Sequence, residues 1–170
     1  MKTKVNLRLS LLFILFVTSL SFAQTAESFA KSGFDKALAL DRVGAIEDYT
    51  KSLALKPNPD VYYKRAIAYM QTNQLAKSLA DFNQIEEARK NDSDFFFERA
   101  SCKALLKDHK NAILDFDRAA TLKPDYGKVY LMRALSKLAL KDKTGACADF
   151  QKAIDNKYDK AAAYLNSNCK

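Results

Sequence analysis

Between about residues 26 and 158 the apolar positions recur as a block rather than one by one. A small residue is followed one helical turn later by a ring, as Ala45 and Tyr49, Ser78 and Phe82, Ala112 and Phe116, and Ala146 and Phe150. The small residues stand 33, 34 and 34 positions apart. An aspartate precedes each ring: Asp48, Asp81, Asp115 and Asp149. Twelve positions upstream of each small residue lies another, namely Gly33, Ala66, Ala100 and Ala134. In the last three blocks an arginine comes just before it, Arg65, Arg99 and Arg133, where the first block has Ser32. Self-similarity at this period predicts stacked pairs of helices. Compact side chains at a helix crossing permit close approach, and the ring beside them fills the remaining space.

Punctuation agrees with that reading. The segments LKPN and LKPD place Pro57 and Pro124 where one helix should stop and the next begin. The second block lacks such a proline and runs through the charged stretch 86–90, so its second helix is expected to be longer or its junction irregular. Beyond Tyr158, a plausible N-cap at Asp159 and an apolar stripe of Ala161, Ala162, Tyr164 and Leu165 predict one more short helix. Such a helix would cover the apolar side that the last pair leaves without a neighbour.

The period, the small-x-x-x-aromatic step and the closing proline resemble the tetratricopeptide repeat, four times in register. The bulky first-helix aromatic is Phe29, Tyr62, Phe96 or Tyr130 rather than tryptophan. The resemblance implies an all-α fold, a right-handed α-solenoid of about four helix-turn-helix repeats at 26–58, 59–92, 93–126 and 127–158, with a capping helix at 159–170. It also implies that the first helices line a concave face. Outward residues there would include Phe34, Tyr63, Ile67, Met70, Phe97, Leu131, Leu135 and Leu138, an apolar groove for a partner's helix or extended peptide. The other reading of those residues is ordinary packing between repeats. Some members of the family grip the C-terminal carboxylate of a chaperone with lysines and asparagines at equivalent places; those residue types are absent here, so that activity is not carried over. The function implied is that of a non-catalytic protein–protein interaction scaffold. The alternative is a structural subunit or self-associating assembly factor, which leaves homo-oligomerisation open.

The N-terminus changes the picture of where such a scaffold works. Lys2, Lys4 and Arg8 precede an apolar run from Leu9 to about Leu20, followed by Ser21-Phe22-Ala23, the pattern of a secretory signal peptide over residues 1–23. Cleavage after Ala23 is expected, leaving Gln24 first, with export to the periplasm or out of the cell. The run is shorter than the roughly 20 residues that span a bilayer, and no integral membrane segment is expected after cleavage. The whole chain carries a net +8, and residues beyond the signal carry +5. Its lysines are spread along every segment, which reads as solvated helix faces and not as a nucleic-acid footprint. With only four glycines and three prolines, the chain is too poor in turn residues for an all-β fold.

Candidate chemistry is sparse. His109 is the only histidine and is expected in the turn between the helices of the third repeat. There is no glycine-rich phosphate loop, nucleophile elbow or paired-cysteine zinc motif, so no enzymatic activity, metal or cofactor is expected. The arginine and aspartate series fall at similar heights on antiparallel helices and predict a structural ion-pair ladder, with each arginine meeting the aspartate of its own or of the preceding repeat. Cys102, Cys147 and Cys169 form an odd set. A capping helix packed antiparallel on the second helix of repeat four would bring Cys169 to Cys147 and staple the cap; the other reading is three buried or idle thiols.

Overall fold

Capping side chains set the start of five helices in the computed structural model, which describes residues 25–169. The signal-peptide expectation lies outside the described residues. All regular elements among those residues are helical, and the chain divides into two units, Met1–Thr72 and Asn73–Lys170.

Unit 1 holds α1 (25–38), α2 (Arg42–Leu55) and α3 (Pro59–Gln71). α1 ends where Leu40 adopts φ 66°; the Leu40 amide donates to the Ala37 carbonyl and the Asp41 amide to that of Lys36, which closes the orphan carbonyls of the last turn. Asp41 then accepts from the Gly44 amide and starts α2. Asn58 caps α3, and Pro59 at its first position supplies a pre-set φ. The core joins Ala45, Tyr49 and Leu53 of α2 to Val61 of α3. Gly33 is needed beneath Tyr49, because a Cβ there would stand 2.7 Å from the ring.

Unit 2 holds α4 (Leu75–Gln84), a 3₁₀ turn (Glu87–Arg89), α5 (Ser93–Leu105), α6 (His109–Leu122), α7 (Gly127–Ala139), α8 (Lys143–Asp155) and α9 (Ala161–Asn168). From α5 to α9 each helix packs on the next, and the short turns between them make neighbours antiparallel. The turn out of α1 recurs: Lys107 and Lys141 take φ 66°, each with the same pair of closing hydrogen bonds, followed by Asp108 and Asp142 as N-caps of α6 and α8. Rings fill the layers between helices. Phe82 meets Phe95 edge-on at 6.0 Å, Phe97 lies 5.9 Å from Phe116, and Phe150 stacks on Tyr164 at 5.7 Å.

The twelve small and aromatic positions picked out by the repeat are all buried. Gly33, Ala45, Tyr49 and Ala66 lie in unit 1, and Ser78, Phe82, Ala100, Ala112, Phe116, Ala134, Ala146 and Phe150 in unit 2. Of the two expectations for the second block the irregular junction is the one observed: the helix after residue 74 is ten residues long and its end unwinds into the 3₁₀ turn. Two local expectations need correction. The last helix starts at Ala161 after Lys160 in an αR conformation with no capping side chain, so Asp159 is not its N-cap. His109 is the first residue of α6, not a turn residue.

Candidate functional site

A cavity of about 280 Å³ opens in unit 1 between α1 and α3. Helical spacing builds its walls: Phe34 and Leu38 come from successive turns of α1, and Tyr63, Ile67 and Gln71 from successive turns of α3. Buried Tyr49 and Ala68 also line it, while Phe34, at 41% exposure, remains open to water beside it. Burial pushes the Tyr49 phenol above its ordinary pKa, with the charge of Asp35 adding to the effect, so the floor is neutral. Two cations flank the apolar surface. The Arg42 guanidinium donates to the Ala37 carbonyl, and the Lys64 ammonium sits 4.5 Å from the centroid of the Phe34 ring. Among the described residues neither has a carboxylate partner. The volume falls just below the ~300–1,000 Å³ of small-molecule pockets.

Of the predicted groove residues, Phe34, Tyr63 and Ile67 line this cavity, whereas Met70 is half-buried outside it. In unit 2 the expectation fails for two residues. Phe97 is 2% exposed and Leu131 is 7% exposed, so neither presents a surface. The cause is local packing: the Phe97 ring lies 5.4 Å from that of Tyr126, in the loop before α7, and Lys128 covers it at 4.5 Å. Leu135 and Leu138 are half-buried. Arg42 and Lys64, which give the cavity its charge, are absent from the sequence-level groove, because neither belongs to the repeated apolar pattern.

Within unit 2 the ion-pair question left open by the sequence resolves for Arg99 and Arg133 to the aspartate of their own repeat, and each also meets a second carboxylate outside the recurring series. Arg99 donates through Nε and Nη2 to Asp115 of its own repeat, at 2.8 and 2.9 Å, and through Nη1 to Glu86 at 2.8 Å. Arg133 pairs likewise with Asp149 and with Asp117 of the preceding repeat. Burial disfavours the charge on each guanidinium, but these hydrogen bonds more than offset it and hold both above the ordinary value. A lysine one turn on completes each cluster, Lys103 on Asp115 and Lys137 on Asp149, both at 2.7 Å. Unit 1 reaches the same end without arginine: Ser32 donates to Asp48 at 2.6 Å and Lys36 pairs with it at 2.7 Å. A lysine four positions after Ser32, Arg99 and Arg133, though not after Arg65, where Tyr69 stands, was the sequence signal for this third member. Because every member is tied to the scaffold, these carboxylates hold helices together.

Cys147 and Cys169 form a disulfide with Cα atoms 5.7 Å apart, linking α8 to the residue after α9, and Cys102 is a buried free thiol. Burial raises the Cys102 pKa, which keeps it protonated and unreactive. Among the described residues, no helix is long and apolar enough to cross a membrane, and no cluster of histidine, cysteine and carboxylate could hold a metal ion.

The tetratricopeptide-repeat family model matches residues 59–92 and 93–126. No curated protein sequence matches the chain. Among solved structures, it is similar to YrrB, described as a TPR protein with an unusual peptide-binding site, at 18% identity over 84% of this chain and 74% of that one, with a TM-score of 0.79. It is also similar to MamA from Desulfovibrio magneticus RS-1, at 15% identity over 84% of each chain and a TM-score of 0.76. The first TPR of Spaghetti (RPAP3), bound to an HSP90 peptide, matches at 22% identity over 70% of this chain and 98% of that one, with a TM-score of 0.63. At these identities the likeness is one of fold: consecutive helical pairs of tetratricopeptide type.

Proposed function

We propose that this chain is a non-catalytic interaction scaffold that holds a partner protein by inserting the partner's apolar side chains into the cavity of unit 1. The observation that carries the reading is the cavity itself, with two rings and Ile67 open to it at helical spacing. A partner helix or extended peptide is the natural occupant, since a row of side chains one turn apart matches anchors at i and i+4. Similarity in fold to YrrB, described as having a peptide-binding site, and to the first TPR of Spaghetti, bound to a peptide, supports the same reading. The basic, apolar and small-residue order of the first 23 residues supports export, so the partner is sought in the envelope or outside the cell.

The test is partner capture from envelope extract, comparing wild type with a Phe34→Ala, Tyr63→Ala double variant that keeps its helical circular dichroism. Loss of a captured protein, with its affinity down roughly tenfold or more as for interface aromatics, is expected. Identical captured sets would remove the cavity from the proposal. The alternative, a self-associating structural subunit, is favoured only by exposed Leu38, Leu40 and Val43 near the α1–α2 turn. Light scattering separates the two readings, since a stable homo-oligomer supports self-association.

A further inference from the structure

In unit 2 the antiparallel order places the α5–α6 and α7–α8 turns at one end of the helical layer. The start of α4 lies at that end too, because the Cys102 thiol, near the end of α5, donates to the Leu75 carbonyl at 3.4 Å. The chemistry of this end is unlike that of the other. Leu105 at 55%, Leu106 at 39% and Leu140 at 41% exposure project from the two turns. Around them stand Lys77, Lys107, Lys110, Lys141 and Lys143, all exposed. The carboxylates nearby, Asp108 and Asp142, are engaged as helix N-caps. At the opposite end Glu86, Glu87, Asp92, Asp94, Asp125 and Asp155 are interspersed with Arg89, Lys90, Lys123, Lys128, Lys157 and Lys160, so charge there is mixed, and among the described residues none of its large aliphatic side chains is exposed.

We propose that this end of unit 2 docks on an anionic lipid bilayer, with the three leucines entering the interface and the lysines meeting the headgroups. Charge complementarity selects an anionic surface. The position of the leucines at turn tips favours a bilayer over an acidic protein, since projecting side chains enter a fluid interface without a shaped counterpart. Lysine suits the rim because its stem lies along apolar surface while the ammonium stays in water. The α1–α2 turn of unit 1 carries the same chemistry, with Leu38, Leu40 and Val43 exposed beside Arg42. Leu38 and Arg42 also line the cavity, so the proposal rests on the end of unit 2 alone; none of its residues lines the cavity, and its failure would leave the scaffold reading intact.

The experiment is co-sedimentation of the full chain with vesicles of phosphatidylcholine alone or mixed with phosphatidylglycerol. Residues 1–23 are common to every variant, so differences between variants isolate the turns. Binding to the phosphatidylglycerol vesicles is expected to exceed that to phosphatidylcholine and to fall at high salt. Lys107→Glu with Lys141→Glu should lower partitioning by more than roughly thirtyfold, since losing two lysines at about fivefold each accounts for that much before the reversed charge is added. Leu106→Ser with Leu140→Ser should lower it roughly tenfold by removing the apolar insertion. Lys123→Glu with Lys160→Glu, the same charge change at the opposite end, should leave it near wild type. Equal losses from the two charge pairs would overturn the proposal. So would absence of any preference for phosphatidylglycerol, the outcome expected if this end instead meets an acidic protein.

Discussion

Arg99 shows what the buried charges of this protein do. Its side chain is almost fully enclosed, yet it donates to both oxygens of Asp115 and to Glu86, so no charge is left without a counterpart. Removing one member of such a cluster strands the others, which costs more than the pair adds. Asp115→Ala is therefore expected to destabilise the protein by about 3 kcal/mol, seen as a lower urea midpoint with an unchanged slope. Asp48 makes a related prediction through pH. Its hydrogen bond from Lys36, then that from Ser32, holds its carboxyl below the usual value. A depressed folded pKa means that the stability it adds is complete above the ordinary aspartate range and is lost as pH falls through the lowered value. Acid titration of the urea midpoint between pH 7 and pH 2 should show this loss, and Asp48→Asn should shallow it; an unchanged acid limb in the variant would contradict the assignment.

At the scale of elements, helix ends are set by a turn with a conformational cost. Lys107 and Lys141 occupy the left-handed region, which disfavours side chains with a Cβ, while Asn73 at the equivalent place tolerates it better. Lys141→Gly should relieve that cost and raise stability by about 0.5–1 kcal/mol, offset in part by the entropy glycine adds to the unfolded chain. Asn73→Gly should be close to neutral. Denaturant titrations of the two variants check the difference, and equal gains would show that the conformation is not what decides. α4 is the weak element: it lacks a capping side chain at its start and unwinds into a 3₁₀ turn at its end.

Across the whole molecule, the Cys147–Cys169 bond acts on the unfolded chain as well as on the folded one. It closes a loop with a sequence separation of 22, for which the chain-entropy account gives about 3 kcal/mol. Cys147→Ser with Cys169→Ser should lose about that much, and amide hydrogen exchange should speed first in α9, which is eight residues long and has no N-terminal cap. Uniform acceleration from α5 to α9 would show that the bond braces the unit and not the cap.

The repeat pattern determined the helical pairs, their buried crossings and the cap, because helix periodicity and volume complementarity are written in residue type and spacing. Gly33 with Tyr49 and Ala112 with Phe116 needed no coordinates to be recognised as core. The family resemblance, and not spacing alone, put Phe34, Tyr63 and Ile67 on a lining surface, and these three line the cavity. Tertiary structure alone decided that Phe97 is covered, since its burial comes from Tyr126 and Lys128 across a loop whose path the repeat does not encode. It likewise decided that Arg99 and Arg133 bridge two aspartate-bearing or glutamate-bearing segments at once, and that the lysines and leucines of two distant turns share one end of unit 2. Period and residue type fix which side of a helix is apolar, whereas the neighbours that side meets depend on how successive pairs are laid against one another.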